Sequence, residues 1–200
     1  MAKESDNASD ILSAIKQIVN NCCNDNAFDV NKLAVFDLEF VFLKLRALSV
    51  DNVVKLSYKD YEDEEEYSFN IDLNDVKIIY PEKTNNNIAI TEKSGILLKY
   101  PPATLYDDED FLKLEKDYMF ELILRCIDKI YYEDSVYESK NYKREELTEF
   151  LENLSIKIFE DIQAFLLAVP KLEYIIKYKN KLGNDRQIVL SSLNDFFTWR

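Results

Sequence analysis

Carboxylates are what this chain has in abundance: 38 aspartates and glutamates stand against 25 lysines and arginines, with no histidine. The missing histidine removes the usual general base near neutral pH, every histidine-dependent triad and the commonest metal ligand. Carboxylate pairs remain as possible acids and bases, but among so many acids a chance pair carries little information. Gly95 and Gly183 are the only glycines. A loop of closely spaced glycines that brings backbone amides up to a phosphate therefore cannot be built. Cys22, Cys23 and Cys126 neither form a secreted disulfide framework nor, without histidine, a zinc site. They read as free thiols, with Cys126 a small buried apolar side chain on the face of Met119, Leu122 and Ile130. The sequence predicts no catalytic residue, no cofactor and no metal, and a protein that is not an enzyme.

Two groups of residues are suited to recognition instead. The net charge of -13 argues against a grip on nucleic acid, because affinity for phosphate chains comes mainly from lysine and arginine displacing counterions. Much of the excess lies in DYEDEEE, Asp60 to Glu66, between two strand-like segments, which reads as a hairpin loop. Such a run is most often only a solvated turn. Glu64, Glu65 and Glu66 are its candidate contact residues. The other group is the aromatic end, Phe196, Phe197 and Trp199, which either docks into the core or is offered to a partner. Taken together they point to a partner with an exposed apolar helix and a basic neighbourhood, met by charge and anchored by rings.

The elements that position these groups follow from periodicity. FDLEFVFLKLRALSVDNVV, Phe36 to Val54, puts Phe36, Phe40, Leu43 and Ala47 on one helical face and Leu38, Val41, Phe42, Leu45 and Leu48 on the opposite one. Polar stripes of Asp37 with Lys44, and Glu39 with Arg46, separate them, as in a helix packed between two layers. This helix is expected from about Asn31 to Leu48. An earlier amphipathic helix runs from about Asp10 to Val19. Val53 to Tyr58 and Tyr67 to Leu73 alternate as half-buried strands and bracket the acidic loop. Val76 to Tyr80, Ile88 to Ile90 and Ile96 to Tyr100 are further short strands. Pro101 and Pro102 close the sheet region.

Beyond the prolines, Asp107 to Asp110 crowd the first turn of a helix expected to reach about Ile130, where their charge meets the positive end of the helix dipole. Leu147, Phe150, Leu151, Leu154, Ile158, Ile162, Phe165, Leu166 and Val169 then keep to one stripe until Pro170. Tyr174 to Tyr178 and Gln187 to Leu190 flank Gly183 and Asn184 as a second hairpin, and Ser191 or Ser192 caps a last short helix. The expected class is α+β: a small, mostly antiparallel sheet packed with amphipathic helices, and a helical C-terminal half ending in a short hairpin and helix. Its segments are 1–35, an N-terminal helical part; 36–102, helix plus small sheet; and 103–200, a helical region with the terminal hairpin, all in one compact unit. No apolar run approaches about 18 residues, and MAKESDNASD lacks the blocks of a signal peptide, so no membrane partner is expected.

FDLEFVFLKLRALSVDNVVKLSY, NIDLNDVKI, GILLKYP, FLLAVPKLEYIIKY and SSLNDFF, in that order from about Phe36 to Phe197, resemble the baseplate hub assembly family of T-even-like contractile-tailed bacteriophages. The resemblance implies a non-enzymatic protein that builds the hub, as an assembly chaperone or a hub component. Its implied partners are the hub or tape-measure proteins. Its implied place is the host bacterial cytoplasm during assembly, and the virion baseplate if it is retained. The family brings no catalytic residue to carry over. The alternative is an acidic DNA mimic or inhibitor of phage origin, which requires carboxylates spaced like phosphates along one face; here they cluster in a loop and at helix ends.

Overall fold

The computed structural model describes residues 8–197, apart from 26, 83–84 and 115–116. In chain order the elements are α1 (Ala8–Cys22), α2 (Val35–Ser49), β1 (Val53–Lys59), β2 (Glu66–Asp72), β3 (Lys77–Ile79), β4 (Asn87–Thr91), β5 (Ser94–Leu98), α3 (Glu109–Leu112), α4 (Tyr118–Cys126), β6 (Ile127–Tyr132), β7 (Ser135–Glu138), α5 (Arg144–Glu152), α6 (Ile156–Leu167), β8 (Lys171–Lys179), β9 (Asp185–Leu190) and α7 (Leu193–Phe197). All strand pairings are antiparallel. The fold is α+β, as the sequence led us to expect.

The chain forms two compact units that are not consecutive in sequence. One takes α1 up to Leu12, Asn31–Val35 and Tyr80–Val169; the other takes Ser13–Val30, Phe36–Ile79 and the chain from Pro170 onward. The chain thus leaves one unit at Tyr80 and returns to it at Pro170. The segments 1–35, 36–102 and 103–200 do not follow this division, and Pro101 and Pro102 lie inside a unit instead of between two.

In the unit built around Tyr80–Val169, a four-stranded sheet of order β4-β5-β6-β7 packs with α4, α5 and α6. Its core holds Ile96 and Leu98 from β5, Ile123 and Cys126 from α4, Ile127 from β6, and Ile162 and Phe165 from α6. The Tyr100 ring stacks on Phe165 with centroids 4.9 Å apart. Gly95 is required by space: a Cβ there would sit 2.6 Å from the Ile88 carbonyl oxygen and collide with the Tyr131 hydroxyl.

Two helical expectations are corrected in this unit. The helix from Asp107 to Ile130 is two helices, α3 and α4, and the chain turns into β6 at Ile127. Ile127 and Ile130 are β-branched and Tyr131 and Tyr132 aromatic, which suits a strand. Among the acids of Asp107–Asp110, Asp108 caps α3, its carboxylate accepting from the Phe111 N–H at 3.0 Å. The stripe from Leu147 to Val169 is broken into α5 and α6 at Asn153–Ser155, where Ser155 Oγ accepts from the Ile158 N–H at 3.4 Å as a new N-cap.

α2 begins at Val35 and not at Asn31, after a single tight turn over Val30–Lys32, and from Phe36 onward it belongs to the other unit. Both of its apolar faces contain buried residues, Phe36 and Leu43 on one and Leu38 on the other. Lys44 donates to the carbonyls of Leu73, Asn74 and Val76 at 3.0, 2.8 and 3.3 Å, tying α2 to the turn after β2. β1 and β2 form the hairpin around the acidic loop, with Val53 opposite Asp72 and Lys59 opposite Glu66. β3, β8 and β9 make a three-stranded sheet with β8 in the centre. The β8–β9 turn contains Gly183 at φ +86°, a left-handed conformation suited to glycine.

Candidate partner-binding surface

The acidic loop is organised from its first residue. Asp60 is fully buried, which an isolated carboxylate does not tolerate without partners. It has them: its Oδ2 accepts from the Tyr178 hydroxyl at 2.5 Å and the Arg186 Nε at 3.0 Å, and its Oδ1 accepts from the Glu62 N–H at 2.8 Å. Burial pushes the Asp60 carboxyl up, but these donors together hold it below the usual aspartate range. The Tyr178 hydroxyl, desolvated and facing that carboxylate, is pushed up to about 12.

The rest of the loop is clasped to the β8–β9 turn. Glu62 accepts from Asn180 Nδ2 at 2.6 Å and from Asn184 Nδ2 at 2.8 Å. Asp63 accepts from the Tyr67 hydroxyl at 2.6 Å and the Lys181 N–H at 2.9 Å. Glu65 is ion-paired with Lys181. The Arg186 guanidinium lies over the Tyr61 ring, 4.5 Å from its centroid. The run is therefore not simply a solvated turn, because five of its seven residues, Asp60, Tyr61, Glu62, Asp63 and Glu65, contact a hairpin more than a hundred residues away in sequence.

Of the six residues that the sequence singled out, Glu64 and Glu66 are exposed. Glu64 sits at the loop apex with φ 58°, and Glu66 opens β2. Glu65 is engaged by Lys181. Phe196 is 1% exposed and belongs to the core, whereas Phe197 is 40% exposed. The Phe197 ring meets Phe42 edge-on at 6.2 Å. Trp199 lies outside the described residues. Phe196 and Phe197 border a groove of about 270 Å³ with Arg46 and the strand from Val53 to Ser57. The glutamates lie past Lys59 at the opposite end of that hairpin, so the acidic and aromatic groups do not form one continuous site.

Sequence reasoning missed Tyr178 and Arg186. Both occupy positions of β8 and β9 that alternate with exposed residues, on the inward face with Ile176 and Ile188. A charged side chain on the apolar face of a strand was the available signal. A second network, also missed, joins α4 to its neighbours. Glu121, 6% exposed, pairs with Arg125 and Arg144, and Arg125 also pairs with Asp108 at 2.7 Å.

Cys126 is buried, and desolvation pushes its thiol up to about 12, which keeps it in the inert protonated form. Among the described residues, no group of three or more cysteines and carboxylates is placed to hold a metal ion. No helix of the described residues is long and apolar enough to cross a membrane. A family model described as T4 bacteriophage base plate protein matches residues 1–198. Comparison with curated proteins and with solved structures gives no match. Since the model covers nearly every residue, the chain belongs to the T4 bacteriophage base plate protein family.

Proposed function

We propose that this chain is a non-enzymatic assembly protein of the baseplate hub, acting through contacts with hub or tape-measure proteins either as a chaperone or as a retained component. Membership of the base plate family, over residues 1–198, carries the reading and implies association with the virion baseplate. A chain with no histidine and two glycines supports a role in contacts over one in chemistry. Exposed Glu64 and Glu66 serve to speed encounter, and Phe197 serves as an anchor. During assembly the protein works in the host bacterial cytoplasm.

Quantitative mass spectrometry of purified phage particles against infected-cell lysate tests this reading, alongside affinity capture with the tagged full chain. Capture of hub or tape-measure proteins is the expected result. Stoichiometric presence in particles then identifies a component, and presence in lysate alone identifies a chaperone. Capture of a host nuclease with no baseplate protein would overturn the reading in favour of an inhibitor.

A further inference from the structure

We infer that the outer face of the β3–β8–β9 sheet is a docking surface for an acidic, amphipathic polypeptide segment of a partner protein. The charge pattern carries this. In a chain of net charge -13, the twenty residues from Lys171 to Leu190 contain five basic side chains and only two acidic ones. Strand alternation sorts them. Lys181 and Arg186 are directed at the acidic loop, whereas Lys171, Lys177 and Lys179 are exposed on the outer face of β8, beside Lys77 of β3. The acids on that face are Glu173, half-buried opposite Lys77, and Asp185, which pairs with Lys179 at 3.6 Å. Lys77, Lys171 and Lys177 make no ion pair with a described residue.

In the middle of this face Ile175 and Val189 stand directly opposite one another, 40% and 47% exposed. An apolar pair next to Lys177, on a face that also carries Lys171 and Lys77, matches a segment whose own apolar side chains are flanked by carboxylates. Lysines in sheets often serve to block edge-to-edge aggregation, but that use places them on edge strands. Here Lys171 lies on the stretch of β8 that is paired on both sides, while Lys177 and Lys179 lie beyond β3, where β8 pairs with β9 alone; edge protection leaves Lys171 and the exposed Ile175–Val189 pair unexplained. Nucleic acid fits less well, because the face has no outward arginine or aromatic ring and carries Glu173. A second copy fits less well too. Its acidic loop is already held by Lys181 and Arg186, and a face-to-different-patch contact is heterologous, so it would build a ring or an open chain of copies instead of a two-fold dimer.

The inference names the chemistry of one contact and rests on the assembly reading only in taking the occupant to be a protein. Its test uses the full chain and a fluorescent amphipathic peptide built only of glutamate and leucine, with polyglutamate and duplex DNA as comparison probes, followed by anisotropy. Saturable, salt-sensitive binding of the peptide is expected. The triple variant Lys77→Gln, Lys171→Gln, Lys177→Gln should weaken it by about tenfold or more, since each lost charge removes attraction across the contact. Ile175→Thr should weaken it without altering the salt dependence. Both should melt as the parent does, because the altered side chains are exposed. Absence of saturable binding, unchanged binding by the triple variant, or binding of DNA at least as tight as the peptide would overturn the proposal. So would self-association in sedimentation that the triple variant abolishes, since a second copy would then be the occupant. Particle mass spectrometry bears on the assembly reading alone, so either proposal can fail without the other.

Discussion

The Tyr178 hydroxyl donates to the Asp60 carboxylate across 118 positions of sequence at 2.5 Å, joining the start of the acidic loop to the middle of the terminal hairpin. That bond makes the loop part of the fold, and the consequences are measurable. Asp60→Asn keeps the shape but removes the charge facing Arg186, and Tyr178→Phe leaves one carboxylate oxygen with a donor fewer. Each should lower the melting temperature by several degrees, because an unsatisfied buried group loses its full desolvation cost. The double variant should lose less than the two single losses combined, since both act on one network. Additive losses by thermal denaturation would mean that the two residues act separately.

The same network has a pH signature. The Asp60 carboxyl is held below its ordinary value by Tyr178, Glu62 N–H and Arg186 against the effect of burial, and Asp63 is likewise held low by Tyr67, the Glu65 N–H and Lys181. At mildly acid pH the unfolded chain therefore binds more protons than the folded one, so stability rises with pH there. The contribution is complete above the ordinary aspartate value of about 3.9, and it is lost as pH falls through the lower folded values. Melting curves between about pH 7 and pH 2 should show a steep acid limb in the parent chain and a shallower one in Asp60→Asn. Equal acid limbs would remove Asp60 as a source of pH dependence.

Glu39 has the opposite sign. Burial raises its carboxyl, the Leu193 N–H works against that, and the negative charge of Asp195 adds to it. Asp195 is committed elsewhere: its Oδ2 accepts from Ser191 N–H, Ser192 N–H and Ser192 Oγ at 3.0, 2.9 and 2.9 Å, closing the start of α7. A raised folded value means that stability from the neutral form is present below the ordinary glutamate value and is lost as pH rises. Glu39→Gln, which keeps an acceptor for Leu193, should therefore stabilise the protein at neutral pH, and the gain should disappear at about pH 4. A destabilised variant at pH 7 would show that the charge itself is used.

Local order was legible in the sequence and long-range pairing was not. The β1–β2 and β8–β9 hairpins follow directly from alternation and turn residues, as at Gly183. The break at Ser155 escaped because an apolar stripe at helical spacing is continuous across a one-turn interruption, and only the serine hints at a new cap. β6 escaped because Ile127 and Ile130, three residues apart, fit helical spacing, and only their β-branching and the tyrosines after them pointed to a strand. The clasp of Asp60, Tyr178 and Arg186 had only the local signal of a charge on the inward face of β9, and nothing in either hairpin states which other hairpin it meets.

Packing around Gly95 gives a sharper test of the four-stranded sheet. Gly95→Ala places a methyl group 2.6 Å from the Ile88 carbonyl oxygen and against the Tyr131 ring. Backbone cannot yield as a flexible side chain can, so the cost should be about 1–3 kcal/mol by denaturant unfolding. Combining it with Tyr131→Ala relieves only the ring contact and should recover part of the loss. Full recovery would locate the whole clash in Tyr131, and no loss at all would contradict the close β4–β5 approach.

The two terminal phenylalanines should separate stability from binding. Phe196, 1% exposed, fills core space, so Phe196→Ala should cost about 3–5 kcal/mol. Phe197 keeps 40% of its surface in solvent and meets Phe42 only edge-on, so Phe197→Ala should cost about 1 kcal/mol. If Phe197 anchors a baseplate protein, the same substitution should raise the dissociation rate of a captured partner far more than it lowers the melting temperature, because a ring desolvated by a partner contributes on binding what it does not contribute on folding. Neutralising exposed Glu64 and Glu66 to glutamine should instead slow association and flatten its salt dependence, leaving dissociation nearly unchanged. Surface-binding kinetics with the captured baseplate protein, paired with a melting curve for each variant, read all four quantities. A Phe197→Ala protein that melts near the parent temperature and dissociates at the parent rate would take the exposed ring out of the interface. A loop variant with unchanged association at low salt would leave Glu64 and Glu66 as solvent-facing residues of an otherwise clasped loop.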